Sequence, residues 1–189
     1  SRFPAWRSPE MLLLLMAAAA PLSFATWEAL LNNFALERAA FTGKEIGILH
    51  SLREVPGFLA FSVVLLLLLM REQMLAYVSL ALLGLGTVLT GWFPSVVGLY
   101  ATTVLMSVGF HYYYTLETSL TLQWVEKSRT PEMLGRLIAV GSLASIVAFG
   151  LVWLAYDVLN LDFRWIYLIG GGITFLIAVA VARASPRFT

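Results

Sequence analysis

The sequence predicts an all-α membrane protein with six transmembrane helices. Hydrophobic residues make up 60% of its 189 residues and charged residues only 12%, whereas about a quarter of the residues in a typical soluble domain are charged. Apolar runs of about 20 residues, enough to cross the hydrocarbon core of a bilayer, are separated by polar residues, Pro and Gly. The predicted spans are roughly 9–35, 43–70, 73–93, 95–125, 131–157 and 163–183.

Several of these spans begin with residues typical of a helix N-terminus. A Ser or Thr there accepts a hydrogen bond from a free backbone N–H, and Pro suits the first turn because it has no N–H to satisfy. Thr42 is followed three residues later by Glu45, which is the spacing of a capping box. The predicted starts are Ser8–Pro9, Thr42, Pro94–Ser95 and Thr130–Pro131.

The loops on the two sides of the predicted membrane differ in basic residues, and cytoplasmic loops hold the excess of Lys and Arg. One side carries Arg2, Arg7, Arg71, Lys127, Arg129, Arg136, Arg183 and Arg187. The other side carries Arg38, Lys44 and Arg164. Both termini are therefore expected in the cytoplasm, and the expected location is a bacterial inner membrane. The remaining basic residue, Arg53, lies inside the second span.

Composition argues against several classes of function. The formal net charge of +1 disfavours nucleic-acid binding, which requires a basic face. The chain has no cysteine, and His50 and His111 are its only histidines, so we expect neither a disulfide framework nor a metal site. It also has no GxSG, HExxH or paired-aspartate motif, which predicts a protein that is not an enzyme and binds no cofactor.

The two halves of the chain are weakly similar at a shift of 88 or 89 residues. The matches are Gly47 with Gly135, Ala60–Phe61 with Ala148–Phe149, Gly84 with Gly172, and Glu28 with Glu117. Three spans per copy give the copies opposite orientations, as in transporters with inverted repeats. This predicts a 3+3 inverted repeat with copies at roughly 9–93 and 95–183, while chance matches in such a biased composition are the alternative.

With these features the chain resembles the amino-terminal six-helix half of a major facilitator superfamily transporter. The resemblance rests on six spans with both ends inside, on the start of the second span, TGKEIGILHSLREVPGFLAF, and on two loops, EKSRTPEMLGRL and the short MREQM. Of the family's glycine-rich motif in the short loop only Arg71 remains. The arginine that many proton antiporters carry early in the fourth span is missing from VGLYATTVLMSVGFHYYY, so drug/proton antiport is not predicted.

The resemblance implies that the chain works with a second six-helix half and that a solute is held between the halves near the bilayer midplane. The second half belongs either to the same longer chain or to another copy of this one. We favour a longer chain, because ARASPRFT resembles the start of a cytoplasmic linker. In this family the first and fourth spans of each half line the central cavity, and the second lies at its edge.

Polar side chains inside the spans mark the candidate site, because a charge near the bilayer centre costs at least about 2.5 kcal/mol. In the second span His50, Arg53, Glu54 and Gly57 share one helical face, which Phe61 continues. Arg53 and Glu54 diverge by about 100° around the axis, so each is free to take a partner on a different helix. This face either lines a substrate or proton site or forms a structural ion pair with a neighbouring helix.

The first span adds Glu28 and Asn32, one turn apart on one face. A rise of about 1.5 Å per residue brings Glu28 and Arg53 to similar depths, so an ion pair between them is geometrically possible. Glu28 then either neutralises Arg53 or binds a proton or a cationic group. Pro56 permits a kink in the second span close to this level.

The fourth span holds the other concentration of polar residues. Its two stripes are Ser107, His111, Tyr114 and Thr118, and Tyr113 with Glu117. Tyrosine hydroxyls inside a membrane need partners, and histidine and a buried carboxylate can exchange protons. We expect one cavity with Arg53 at its outer edge and the His111 to Glu117 region as its floor, while packing of the tyrosines in the core is the alternative.

The third and sixth spans carry small residues suited to close packing against their own half or against lipid, namely Gly84, Gly86 and Gly170 to Gly172. Tryptophans near span ends are expected as interface anchors, namely Trp92, Trp124, Trp153 and Trp165.

Together these features predict half of a secondary active transporter that moves a small polar or charged solute by alternating access, with the proton as a candidate coupling ion. The predicted pathway residues are Glu28, Asn32, His50, Arg53, Glu54, His111, Tyr114 and Glu117. The expected partners are the lipid bilayer, a second six-helix half, a small solute and protons. The alternative is a membrane assembly or scaffold protein that keeps the same fold without transporting.

Overall fold

The computed structural model describes residues 4–185, within which every regular element is a helix. The α-helices are α1 (Pro9–Ala39), α2 (Gly43–Phe58), α3 (Val63–Leu66), α4 (Glu72–Thr90), α5 (Val96–Trp124), α6 (Thr130–Trp153) and α7 (Phe163–Ala184). Short 3₁₀ segments cover Ala5–Arg7 and Ala60–Ser62, and α6 continues as a π-helix over Leu154–Val158. The predicted basic residues Arg2 and Arg187 lie outside the described residues.

These helices form six units, the second of which joins α2, a 3₁₀ turn and α3. Five units are long and apolar enough to cross a membrane, namely Pro9–Ala39, Gly43–Leu66, Glu72–Thr90, Thr130–Val158 and Phe163–Ala184. The other unit, α5, has 29 residues and is long enough, but polar side chains interrupt its apolar character. The predicted all-helical fold is therefore confirmed within residues 4–185, and its five long apolar helices are typical of an integral membrane protein. The sixth predicted span, α5, stays a prediction.

Successive units run in opposite directions, as contacts at their ends show. At one end Arg129 binds Glu10 at 2.8 Å, which joins the start of α6 to the start of α1. At the opposite end Arg38 binds Asp162 at 2.9 Å, which joins the end of α1 to the start of α7. The predicted division of these loop residues between two ends is thus present in the fold. Which end faces the cytoplasm stays a prediction.

The centre of the bundle is formed by α1, α4, α5 and α7. Helix α4 packs between α5 and α7, and α1 packs against α6 and α7. The second unit rests on α5 at one edge, and α6 lies at the other. Leu69 near the end of the second unit is 82% exposed, and Leu176 on α7 is 67% exposed. Such surfaces suit lipid and would be unfavourable in water.

Glycines set the close approach of α4 to its neighbours. A Cβ on Gly84 would lie 2.6 Å from the carbonyl oxygen of Gly171, and a Cβ on Gly86 would lie 2.5 Å from the backbone nitrogen of Met106. Gly170 similarly meets the side chain of Thr26. The predicted role of small residues in helix packing is confirmed at these positions. Gly172 meets no other helix within 4 Å, so it takes no part in packing within this half, and its packing against lipid stays a prediction.

Three of the predicted N-caps form. Ser8 accepts from the backbone N–H of Met11 at 3.3 Å, Thr42 and Glu45 form the capping box, and Ser95 accepts from the N–H of Gly98 at 3.0 Å. The prediction for Thr130 is wrong, because α6 begins one residue earlier than expected. Its hydroxyl donates instead to the carbonyl of Glu126 at 3.1 Å.

The second unit is interrupted after Phe58, two residues beyond Pro56, which lies inside α2. Helix α2 ends at Phe58, and α3 ends at Leu66 rather than at the predicted residue 70. The intervening 3₁₀ turn changes the angular spacing, so Phe61 is 70% exposed and does not continue the face of Arg53. The predicted kink near residue 52 stays a prediction, because the helix continues through Pro56 to Phe58 and is interrupted only after it. The predicted position of Phe61 is wrong.

Asp162 fixes the start of α7 and connects it to α1. Its Oδ1 accepts from the backbone N–H of Arg164 at 3.0 Å, and its Oδ2 accepts from Arg38. The bond from the Arg164 backbone, with the nearby Arg38 and Arg164 guanidinium groups, holds the pKa of Asp162 below its usual range. A lowered pKa means that this carboxylate stabilises the fold at neutral pH.

Replacement of Asp162 with Ala is expected to reduce the free energy of unfolding by about 1 kcal/mol at neutral pH, because the cap and the ion pair are both lost. The stabilisation is fully present above the ordinary pKa of about 3.9 and disappears as the pH falls through the lowered value. Asp162→Asn keeps the cap and is expected to lose less. Unfolding curves in detergent at several pH values test this. A difference in free energy of unfolding between wild type and Asp162→Ala that is as large at the lowest pH as at neutral pH would contradict it.

Candidate functional site

Two pockets lie on opposite sides of an aromatic contact between α1 and α5. The first, the Arg53 pocket, has a volume of about 120 Å³ and is lined by Phe24, Arg53, Glu54, Met106, Ser107, Phe110 and His111. The second, the Glu117 pocket, has a volume of about 420 Å³. Its polar lining consists of Tyr114, Glu117 and Thr118 on α5 and of Ser142 and Ser145 on α6.

In the Arg53 pocket the guanidinium group is held by its sequence neighbour. Arg53 donates from Nε and Nη2 to one oxygen of Glu54, at 2.9 and 2.7 Å, and its Cζ lies 5.9 Å from the centre of the Trp27 ring. The Glu28–Arg53 ion pair that the sequence allows is therefore not formed within residues 4–185, and Arg53 and Glu54 pair with each other rather than with partners on different helices. The long Arg53 side chain bends around α2 to reach a carboxylate that leaves the helix in another direction.

Helix α5 anchors this face of α2 at two points. The Ser107 hydroxyl donates to the backbone carbonyl of Arg53. A Cβ on Gly57 would lie 2.6 Å from Cε1 of His111, so the absence of a side chain at Gly57 lets the imidazole ring approach the α2 backbone closely. The predicted shared face of Arg53 and Gly57 is confirmed, and it faces α5.

Three other predicted residues, Glu28, Asn32 and His50, do not line this pocket. The charges of Glu28, Arg53 and Glu54 act on His50, which places the four groups in one electrostatic neighbourhood. Glu28 is exposed one turn beyond Phe24, and the Glu54 side chain is 60% exposed. Asn32 is exposed one further turn along α1. Charges of both signs therefore lie near the Arg53 pocket.

The Glu117 pocket contains a carboxylate that is almost wholly buried. Glu117 is 8% exposed, and one of its oxygens accepts from the hydroxyl of the fully buried Tyr113 at 2.6 Å. Glu117 also lines the pocket, together with Tyr114 and Thr118. The pairing of Tyr113 with Glu117 follows their predicted common stripe. A buried carboxylate beside an open polar pocket can bind a proton, a cation or a hydroxyl group.

An aromatic contact divides the two pockets. The rings of Phe24 and Phe110 stack with their centres 4.4 Å apart, and Phe110 lies 4.8 Å from Tyr114 on one side and 5.1 Å from His111 on the other. The expectation of one cavity running from Arg53 to Glu117 is therefore corrected. His111 belongs to the Arg53 pocket, and Tyr114 belongs to the Glu117 pocket.

Sequence reasoning missed Ser142 and Ser145, which α6 contributes to the Glu117 pocket. A single serine in an apolar helix gives little signal, because its hydroxyl can bond to its own backbone. The spacing of Gly141, Ser142 and Ser145 along one side of α6 is the only hint of a polar strip. As for metal binding, no cluster of three or more His, Cys, Asp or Glu side chains in residues 4–185 is arranged to hold an ion.

The chain was compared with protein families, curated proteins and solved structures. No family model matches the sequence. No curated protein and no solved structure matches it either.

Proposed function

We propose that this chain is one six-helix half of a secondary active transporter, similar to the major facilitator superfamily, that moves a small polar or charged solute by alternating access. The observation that carries the proposal is the Glu117 pocket. A carboxylate held by Tyr113 beside a polar pocket of about 420 Å³ is expensive within a membrane and usually serves an ion or solute pathway. Protons are the candidate coupling ion.

The packing of the helices supports the proposed 3+3 inverted repeat. In such a repeat α1 corresponds to α5, the second unit to α6, and α4 to α7. The α1–α6 contact then corresponds to the α5–α2 contact, and the α1–α7 contact corresponds to the α5–α4 contact. The α4–α7 contact joins the two equivalent helices of the pair. In this arrangement α1 and α5 occupy equivalent positions. Both helices line both pockets, α5 with polar side chains and α1 with the apolar Ala17, Pro21 and Phe24.

The exposed polar residues support a second six-helix half as partner. Glu28, Asn32 and Glu54 are exposed beside the Arg53 pocket, and lipid tails offer them no hydrogen bonds. A second half, from the same longer chain or another copy, would enclose a wet cavity with them. We further propose a bacterial inner membrane with both termini in the cytoplasm, because the end that gathers Arg7, Arg71, Lys127, Arg129, Arg136 and Arg183 then follows the positive-inside rule.

A non-transporting assembly or scaffold protein is the second candidate. The observation that favours it is the pairing of Arg53 with Glu54, since an arginine already neutralised within its own helix resembles a structural clasp. In that case the exposed polar face would bind another membrane protein rather than border a solute pathway.

Accessibility to water distinguishes these functions, and the absence of native cysteine makes it directly measurable. We expect Ser142→Cys, in the Glu117 pocket, to react with a water-soluble maleimide in opened membrane vesicles, because the reactive thiolate needs water. Leu176→Cys is the matched control, since it is also exposed near the middle of its helix but lies on the apolar surface of α7. It is expected to remain at least about tenfold less reactive.

Both variants should react equally after denaturation, which controls for the reagent. If Ser142→Cys is as protected as Leu176→Cys in membranes, the pocket is filled by lipid or by a bound protein. That result would contradict the transport proposal and favour the scaffold function.

A further inference from the structure

A third cavity lies at the far end of the bundle from Arg129, away from both pockets. It has a volume of about 300 Å³ and lies between the end of α1, the loop after α4 and the start of α7. Its charged lining is Arg38, Asp162 and Arg164, with Trp92 and Pro94 on one side. We call it the Arg38 cleft. A volume of this size is enough for a small polar group.

The cleft holds more positive than negative charge. Arg38 and Arg164 share one carboxylate, that of Asp162, at 2.9 and 3.4 Å. Their side chains are 47% and 54% exposed. Each guanidinium has five N–H donors, and within residues 4–185 each gives one side-chain hydrogen bond, to Asp162. Most donors of both groups are therefore free for an acidic ligand.

Aromatic rings hold both guanidinium groups in place. Cζ of Arg38 lies 5.5 Å from the centre of the Phe163 ring, and Cζ of Arg164 lies 5.6 Å from that of Trp92. A planar guanidinium stacked on a ring loses less freedom when it binds an anion, and its paired N–H groups match two oxygens of a phosphate. The nearby Glu37 is directed elsewhere, since it accepts from Tyr156 at 3.1 Å.

The position of the cleft in the bundle indicates where such a phosphate would come from. The cleft lies at the end of the apolar helix α4 and at the start of the apolar helix α7. This is the expected depth of lipid headgroups. Trp92 and Trp165 are 44% and 53% exposed there and contact each other edge to face at 6.4 Å. Val97, the second residue of α5, is 78% exposed and adds an apolar side chain that suits an acyl chain.

We propose that the Arg38 cleft binds the phosphate of an anionic phospholipid, with Arg38 and Arg164 as ligands and Trp92 at the headgroup boundary. The site is separate from the proposed solute pathway and requires only that the protein lies in a membrane. Anionic lipid then fastens α1 to α7 at this end.

Native mass spectrometry of the purified chain in detergent, titrated with phosphatidylglycerol, tests the proposal. Arg164→Gln is expected to weaken lipid binding at least about tenfold, because one bidentate contact is lost. Arg164→Lys keeps the charge without the planar fork and is expected to fall between Arg164→Gln and wild type. Arg136→Gln is the matched control, since Arg136 is similarly exposed, pairs with Glu132 at 2.6 Å and lies at the other end of the bundle. It is expected to bind lipid like wild type.

The same titration is repeated with phosphatidylcholine, and inorganic phosphate is added as a competitor of phosphatidylglycerol. Arginine-dependent binding of phosphatidylglycerol that inorganic phosphate fails to displace at equal concentration would support the lipid site. Displacement by inorganic phosphate at equal concentration would overturn the lipid assignment, as would equal binding of phosphatidylcholine. Binding that Arg38→Gln and Arg164→Gln both leave unchanged would overturn the site itself.

Discussion

Replacement of Gly171 with alanine is expected to destabilise the protein by about 2 kcal/mol or more, because it wedges α4 away from α7. A Cβ at this position would lie 2.7 Å from the backbone nitrogen of Val88 and against the carbonyl of Gly84. Both obstacles are backbone atoms and cannot turn aside as a side chain can. A repulsion of this kind must shift a whole helix, and α4 also packs on α5. The midpoint of thermal or SDS-induced unfolding in detergent measures the loss.

The adjacent Gly172 provides the matched control. It lies in the same helix, but no atom lies within 4 Å of the place its Cβ would occupy. Gly172→Ala is expected to leave stability unchanged or to raise it by up to about 1 kcal/mol, since alanine favours the helix. Equal losses in the two variants would mean that α4 and α7 do not cross at Gly171 and that the effect comes from the helix backbone alone.

The starts of the helices were predictable from sequence because they carry local chemical signals. Ser8, Thr42 and Ser95 each bind a backbone N–H of the turn that follows, and these starts agree with prediction to within one residue. The ends were less predictable. The second unit ends at Leu66 within a continuous run of leucines, and nothing in the hydropathy of that run marks the change from helix to turns.

Helical periodicity predicted which side of α2 faces the rest of the protein, but it did not predict side-chain partners. The backbone positions of Arg53 and Gly57 follow from a regular helix up to Pro56. Arg53 nevertheless pairs with Glu54, because a long flexible side chain can cross the angle that separates two neighbours. The position of Phe61 was wrong for another reason, since a 3₁₀ turn intervenes and its spacing is not that of an α-helix.

The division of the candidate site into two pockets depends on tertiary packing, which a single sequence does not specify. Phe24 and Phe110 are 86 residues apart in the chain, and their stacking follows from how α1 and α5 cross. The same holds for Ser142 and Ser145, which become polar lining only when α6 lies beside α1. Residues within one helix, such as Tyr113 and Glu117, were grouped correctly because four residues make about one turn.

Within the proposed transporter, Glu117→Gln is expected to reduce solute-driven transport by about 100-fold or more, because it removes both the charge and the proton-binding group from the pocket. The amide still accepts a hydrogen bond from Tyr113 and has nearly the same volume, so we expect little change in folding. Transport is measured as the current that a panel of small polar and charged solutes produces in proteoliposomes with the complete transporter. An imposed pH gradient separates proton-coupled from uncoupled flux.

Tyr113→Phe tests whether the tyrosine positions the carboxylate. It removes one buried hydrogen bond to Glu117, whose distance is 2.6 Å, and keeps the ring that fills the core. A smaller reduction is expected, about tenfold, because a hydrogen bond to a charged group contributes roughly 1.5 kcal/mol or more. A change in the pH dependence of transport is expected with it, which a purely structural role would not produce.

Glu126→Gln is the matched control for these variants, because Glu126 lies in the exposed loop after α5 and its side chain lines neither pocket. It is expected to transport like wild type. A different result is that Glu117→Gln also transports like wild type, while Arg53→Gln or His111→Gln abolishes transport. The solute pathway then runs through the Arg53 pocket, and the Glu117 carboxylate only holds Tyr113. If Glu117→Gln, Arg53→Gln and His111→Gln all leave transport intact, neither pocket lies on the pathway. The Glu117 carboxylate is then kept in the bundle for packing despite its desolvation cost.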